Sequence, residues 1–236
     1  MIWILALLIA PLSAQILPIG ARIVFFSPPI TLLSSTKCQA GVDVGNGAGK
    51  SANWDTTGAT LIVAGSVFNG GGNPAPTDNH NTYTNAINSS ADADSNHASL
   101  WYVSSPTTNA AEVGSCAGGS FHTVYFLAFS NTNASSPLDQ TSSNTTASGS
   151  SLASALTPSQ NNTVVFTCLE QQQTSGTFSI DSGFTISQQS NNNVTTAAGG
   201  GCAYKVQTTA AAVTPLWSWS TGATAAAAAT ASFKAP

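Results

Sequence analysis

Apolar residues along this chain come in short runs, and none keeps the three-to-four-residue spacing of an amphipathic helix. The runs are rich in β-branched and aromatic residues. Between them lie turn-forming stretches such as Asn69-Gly-Gly-Gly-Asn-Pro-Ala-Pro76 and the glycine run Gly199–Gly201. The pattern predicts strands over Arg22–Phe26, Ile30–Ser34, Thr60–Val67, Ser99–Val103, Thr123–Phe129, Thr163–Leu169, Phe184–Ser187, Ala203–Gln207, Leu216–Ser220 and Ala229–Lys234. His122–Phe129 and Thr163–Leu169 are apolar enough to be central strands covered on both faces. Ala223–Ala231 favours helix by propensity, but Thr and Ser interleave with the Ala and Phe233 closes the run, so its end is assigned as strand. About ten short strands punctuated by turns predict an all-β chain, an antiparallel β-sandwich or barrel. No linker divides two cores and no repeat of fixed period is legible, so residues 35–236 are expected to form a single β-sandwich domain.

The amino terminus stands apart from that pattern. Met1–Ala10 is continuously apolar and Pro11-Leu-Ser-Ala14 follows, which reads as a signal peptide over residues 1–14 or a retained apolar leader. No Lys or Arg precedes the run. Uncleaved, residues 1–21 are just long enough to meet a membrane, where about 20 apolar residues are needed, although Pro11 and Pro18 interrupt them. Residues 15–34 form an apolar arm or strand ahead of the main domain.

Cys38, Cys116, Cys168 and Cys202 form no C-x-x-C pair and have no His at ligand spacing. An even number of isolated Cys behind an export signal favours two disulfides over a zinc site. Of the three connectivities, Cys38–Cys116 with Cys168–Cys202 is preferred; four buried free thiols are the alternative. Asn88, Asn133, Asn144, Asn161 and Asn193 head Asn-x-Ser/Thr sequons, glycosylation candidates if the chain is exported by a host that glycosylates.

Composition narrows the function classes. Charged residues are 6% of the chain, against roughly 25% in ordinary soluble domains, while Ser (32), Thr (29) and Asn (18) make up a third of it. Five Lys and Arg against nine Asp and Glu leave a net charge of −4, which excludes nucleic-acid binding by phosphate neutralisation. A hydrophobic content of 42% argues against disorder.

From about Ile30 onward the sequence carries Asp55-Thr-Thr-Gly-Ala-Thr-Leu-Ile-Val63, Pro76-Thr-Asp-Asn-His-Asn-Thr-Tyr83, Ser136-Pro-Leu-Asp-Gln140, Ala203-Tyr-Lys-Val-Gln207 and Pro215-Leu-Trp-Ser-Trp219 followed by Ala231-Ser-Phe-Lys234. These pieces, kept in order over about 200 residues, resemble a domain type of secreted bacterial and phage proteins. The resemblance implies a jelly-roll or concanavalin-like β-sandwich in an extracellular or virion setting, without established catalytic activity. Tyr83 stands where that family usually has Trp, and the four Cys lie outside its pattern.

Catalytic constellations are sparse. His80 lies beside Asp78 in a polar loop, so a His–Asp pair is conceivable there; His97 and His122 share no metal spacing with it. Asp55 and the Pro137-Leu-Asp139 segment read as turn residues. Asp92 and Asp94 alternate as weak calcium candidates, with Asn88 and Asn96 as further oxygen donors, but the Gly and bidentate Glu of an EF-hand are missing. Gly45-Asn-Gly-Ala-Gly-Lys-Ser51 lacks the first glycine of a phosphate loop. Trp217 and Trp219 alternate onto one sheet face and, with Trp101, are glycan-stacking candidates; an interior face would make the pair core.

No catalytic residue, resident metal or cofactor is expected. The sequence points to a non-enzymatic structural subunit of an extracellular fibre, surface assembly or virion, self-associating into a homo-oligomer or filament by N-terminal strand addition. A carbohydrate-binding or adhesion module is the alternative. The expected location is secreted or cell-surface, or else a virion, with membrane contact only through an uncleaved leader.

Overall fold

The computed structural model describes residues 27–41, 49–70, 74–93, 95–116, 121–172, 177–181, 183–190 and 199–236. The leader over 1–14 and the first expected strand lie outside them. Among the described residues the chain is all-β, with sixteen strands. The first eight are β1 (Thr31–Gly41), β2 (Gly49–Lys50), β3 (Leu61–Asn69), β4 (Thr77–Asp78), β5 (Thr84–Asn88), β6 (Asn96–Ser104), β7 (Gly114–Cys116) and β8 (Phe121–Ser130). The second eight are β9 (Leu138–Gly149), β10 (Ser151–Ala153), β11 (Thr163–Gln171), β12 (Phe178–Ile180), β13 (Thr185–Ser190), β14 (Gly199–Gln207), β15 (Leu216–Trp219) and β16 (Thr224–Lys234).

Four antiparallel sheets result. β1-β8-β3-β6-β5 and β2-β7-β4 come from the first half of the chain, β13-β14-β11-β16-β9 and β10-β15-β12 from the second. Numbered from one within its half, each half reads 1-8-3-6-5 over 2-7-4. That is the jelly-roll order, with the fifth strand moved to the larger sheet. A repeat therefore exists in strand order although none of fixed period is legible in the residues.

The two five-stranded sheets face one another, β6 over β11 and β16 and β3 over β11. Alternation of side chains across a strand explains how the layers stack. Leu61, Val63 and Val67 of β3 and Tyr125, Leu127 and Phe129 of β8 point between the large sheets, where they meet Val164, Phe166, Ala229, Ala231 and Phe233. The opposite faces of the same strands, Ile62, Ala64, Val124, Phe126 and Ala128, pack with Cys38, Trp54, Tyr83 and Cys116 beneath the small sheet of the first half. In the second half, Leu169, Ala203, Ala226 and Ala228 pack with Leu152, Phe178, Trp217 and Trp219. Both strands expected to be covered on two faces are so covered.

All expected strands from Ile30–Ser34 onward overlap observed ones. The boundary set between residues 34 and 35 falls inside β1, which pairs Thr31–Gly41 with β8. The glycine run Gly199–Gly201, expected as a turn, opens β14 instead. A Cβ at Gly200 would fall against the Leu169 carbonyl of the neighbouring strand, so glycine serves close approach there. Pro137-Leu-Asp139, expected as a turn, leads directly into β9. This strand has almost no apolar residue to announce it because it lies at a sheet edge with much of its surface exposed. The alanine segment is strand from Thr224 onward, buried from Ala225 to Ala231. Tertiary burial overrides helix propensity, and the small side chains leave room for Trp217 and Trp219 on one face.

Both preferred disulfides are present, Cys38–Cys116 and Cys168–Cys202. They close loops of 78 and 34 residues, worth about 4 kcal/mol each on chain-entropy grounds. Gly65 of β3 lies directly under the Cys168–Cys202 bridge, and a Cβ there would overlap both sulfurs. Gly65→Ala is therefore expected to cost about 1–3 kcal/mol by overpacking, read as a lowered urea midpoint. In a Cys168→Ser/Cys202→Ser background the same substitution should cost less. An equal cost in both backgrounds would show that the bridge is not what the new methyl meets.

Candidate functional site

Titratable side chains gather most densely where the β4–β5 loop meets the segment before β7. Glu112 pairs its backbone with Trp54, donating to the Trp54 carbonyl at 2.9 Å and accepting from its N–H at 3.0 Å, which fixes the carboxylate inward. That carboxylate is fully buried. It accepts from His80 Nδ1 at 2.7 Å, from Val113 N–H at 3.1 Å and from Asn79 N–H at 3.4 Å. Asp78 accepts from the backbone N–H groups of His80 (2.9 Å) and Asn81 (2.6 Å), from Asn81 Nδ2 (3.0 Å) and from the Tyr83 hydroxyl (2.9 Å). Burial, followed by the charge of Asp78, its hydrogen bond and the charge of Glu112, holds the Tyr83 hydroxyl far above its ordinary range, so it stays a donor.

The His–Asp pair conceived from the sequence is thus a His–Glu pair. Asp78 caps the turn and takes the backbone of His80, leaving the ring to Glu112 from a distant loop. The same use of acid recurs across the molecule. Asp55 accepts from Thr57 N–H (2.8 Å), Asp92 from Asn96 N–H (2.9 Å), Asp139 from Ser159 N–H (2.8 Å) and Asp181 from Leu216 N–H (2.9 Å). Hydrogen bonds from Thr57 also hold the Asp55 carboxyl below its ordinary range. Every described carboxylate accepts at least one backbone N–H, and all but Glu170, which joins two strands, fasten loops.

The remaining candidates are dispersed. Asp92 also takes Asn96 Nδ2 at 2.8 Å; its expected partner Asp94 lies outside the described residues, as does sequon Asn193. No group of three or more His, Cys, Asp or Glu among the described residues is placed to hold a metal ion. His122 is buried, with Nε2 at 2.8 Å from Ser66 Oγ, and the His97 ring stacks on Phe68 with centroids 4.8 Å apart. Lys50, the lysine of the glycine-rich stretch, sits in strand β2 paired with β7.

Trp217 and Trp219 do share one face, and it is interior. Trp217 Nε1 donates to Thr167 Oγ1 (3.2 Å) and Trp219 Nε1 to the Gly222 carbonyl (3.1 Å), so neither indole offers a ring face to solvent for stacking a sugar. Trp101 is half-buried against the first-half core, and its indole N–H has no partner. Asn88, Asn144 and Asn161 are exposed, whereas Asn133 is half-buried and its Oδ1 accepts from Ser135 and Ser136 N–H.

Glu170 is a functional-type residue that the strand reading passed over. Continuing the alternation Val164, Phe166, Cys168 by one step places it on the face between the large sheets, a signal present in the sequence. Its Oε2 accepts from His97 N–H of the first half at 2.6 Å, while Oε1 is buried without a partner. Burial, and then the negative charge of Asp92, raise its pKa well above the ordinary carboxylate value, against the opposing His97 bond. Tyr125, itself held protonated by burial, is the other titratable neighbour.

A carboxyl with a raised folded pKa contributes stability that is present at low pH and lost as pH rises through that value. The urea midpoint of Glu170→Gln relative to the natural chain should therefore increase as pH is raised from about 4.5. Parallel pH profiles for the two proteins would refute the assignment.

Comparison with protein-family models, with curated proteins and with solved structures finds no match to this chain, so its functional reading rests on the residues themselves.

Proposed function

We propose that the protein is a non-enzymatic structural subunit of an extracellular fibre, surface assembly or virion, in which copies associate through β-sheet edges. The observation that carries this reading is β9. It ends the order β13-β14-β11-β16-β9, so its outer row of backbone N–H and C=O groups has no partner strand among the described residues. From Gln140 to Thr146 its pairing with β16 is in register without a shift. That stretch, Gln140-Thr-Ser-Ser-Asn-Thr-Thr146, contains no Lys, no Pro and no charge. Natural monomers blunt long edges with those devices, and a regular edge lacking them is a template for strand addition.

Three further features support the reading. The described carboxylates are committed to backbone hydrogen bonds, leaving structural roles for the acids. Two disulfides suit an oxidising, extracellular location. Jelly rolls serve in viral capsid and lectin domains, and the resemblance to secreted bacterial and phage domains points the same way. The donor is the apolar amino-terminal arm: Ile16–Phe26 precede the described residues, and the arm's last residues, Thr31–Ser34, join the molecule's own sheet as the start of β1. The carbohydrate-binding alternative retains only Trp101 of its three aromatics with partial exposure.

Sedimentation and negative-stain imaging of the purified chain should show concentration-dependent oligomers or filaments. Thr141→Lys/Ser143→Lys on β9 and deletion of residues 16–29 should each leave a folded monomer that no longer assembles. A natural chain that stays monomeric at every accessible concentration would sink the proposal. Specific glycan binding by such a monomer would transfer the assignment to the alternative.

A further inference from the structure

We propose that the chain is an internal dimer: two jelly rolls of one strand order whose five-stranded faces form an interface that holds without the covalent link between them. The identical strand orders establish the equivalence of elements, and setting the inward-facing Val63 of β3 against the inward-facing Phe166 of β11 aligns their residues. In the first half Val63 pairs with Tyr102 on one side and Leu127 on the other; in the second, Phe166 pairs with Tyr204 and Ala231. Two residues earlier, Leu61 pairs with Phe129, and Val164 with Phe233. Tyr102 therefore corresponds to Tyr204, and Phe129 to Phe233.

In that alignment two aromatic contacts are reciprocal, as across a two-fold axis, while the strand contacts are unequal: β6 lies against β11 and β16, and its counterpart β14 has no comparable contact with β3 and β8. Tyr102 packs on Phe233 with centroids 5.6 Å apart, and Tyr204 packs on Phe129 at 5.5 Å. Each pair joins the two halves, in opposite directions. Near the middle the central strands β3 and β11 meet, and Gly65 sits against the Cys168–Cys202 bridge.

The bonds that cross the interface are non-covalent. Lys37 Nζ donates to the Gln189 carbonyl (2.7 Å), Gln188 Nε2 to Ser35 Oγ (3.4 Å) and His97 N–H to Glu170. Each disulfide stays within its own half. The only described covalent connection is the loop over residues 131–137, while the buried cluster between the sheets draws on both halves. Such a face resembles an obligate subunit interface, a core cut in two, and the partner it fits is the same face of a second jelly roll.

The test places a protease site between Ser135 and Ser136, both exposed, in the full chain and cleaves it without reducing agent. A thermal melt of the uncleaved variant first establishes that the insertion is tolerated. After cleavage, size exclusion and native mass spectrometry should show one species holding both fragments, separable only by denaturant. Fragments that part or precipitate as cleavage proceeds would overturn the proposal. In the cleaved complex, Tyr102→Ala and Tyr204→Ala should each promote dissociation on dilution, by about fivefold, since both rings are half-buried. Dissociation unchanged by both substitutions would refute the placing of these contacts in the interface. Should the insertion prevent folding, a site between Ala134 and Ser135, both exposed, decides the proposal by the same outcomes.

Discussion

The central strands of each large sheet in this molecule are buried on both faces, and that requirement governs its architecture. β3, β8, β11 and β16 carry almost no side chain that water could solvate. A sheet of this kind needs a layer above and a layer below. One cover is the small sheet of its own half; the other is the large sheet of the opposite half. The result is a stack of four sheets with three apolar layers between them, in which neither half can satisfy its inner face alone. This is how a chain with 6% charged residues remains well specified: specificity comes from shape at the central contact, such as glycine beneath a disulfide and alanine beneath tryptophan.

Scarce charge has a second effect. With so few acids, each one is conspicuous, and the described ones fasten loops or, at Glu170, lie between the halves. The Glu112–His80 pair shows why such a cluster can resemble a catalytic one. A buried carboxylate orienting an imidazole is a familiar functional arrangement, yet here the same carboxylate also takes backbone N–H groups from both its own segment and the β4–β5 loop. It ties two loops of one jelly roll together.

What the residues revealed on inspection follows from what periodicity can report. Central strands such as Thr163–Gln171 were legible because apolar, β-branched runs have few other destinations, and four isolated cysteines left three connectivities, of which the preferred one is present. β9 was illegible because an exposed edge imposes no apolar alternation; its strand character comes from its neighbour β16. The two-residue strands β2 and β4 are too short to carry a pattern. The indoles at 217 and 219 were correctly placed on one face, but alternation does not say which face is inside; that depended on the small sheet above them. The strand order shared by the two halves was hidden because periodicity reports where strands lie and not which strands pair.

The placement of β8 and β16 also bears on how quickly the native state is reached. Each is the last strand of its half, yet each lies inside its sheet, hydrogen-bonded on both sides: β8 between β1 and β3, β16 between β9 and β11. Until that strand arrives, the first and third strands of the half have no common neighbour, and the sheet has a gap at its second-most central position. Closing it means joining segments scores of residues apart in the chain, and loop-closure entropy must be met before the contacts repay it. Pairings of such sequence separation belong to slow β topologies. During that interval the open slot exposes two unpaired strand edges lined with apolar side chains, so the molecule's greatest exposure to misassembly falls before its native state exists.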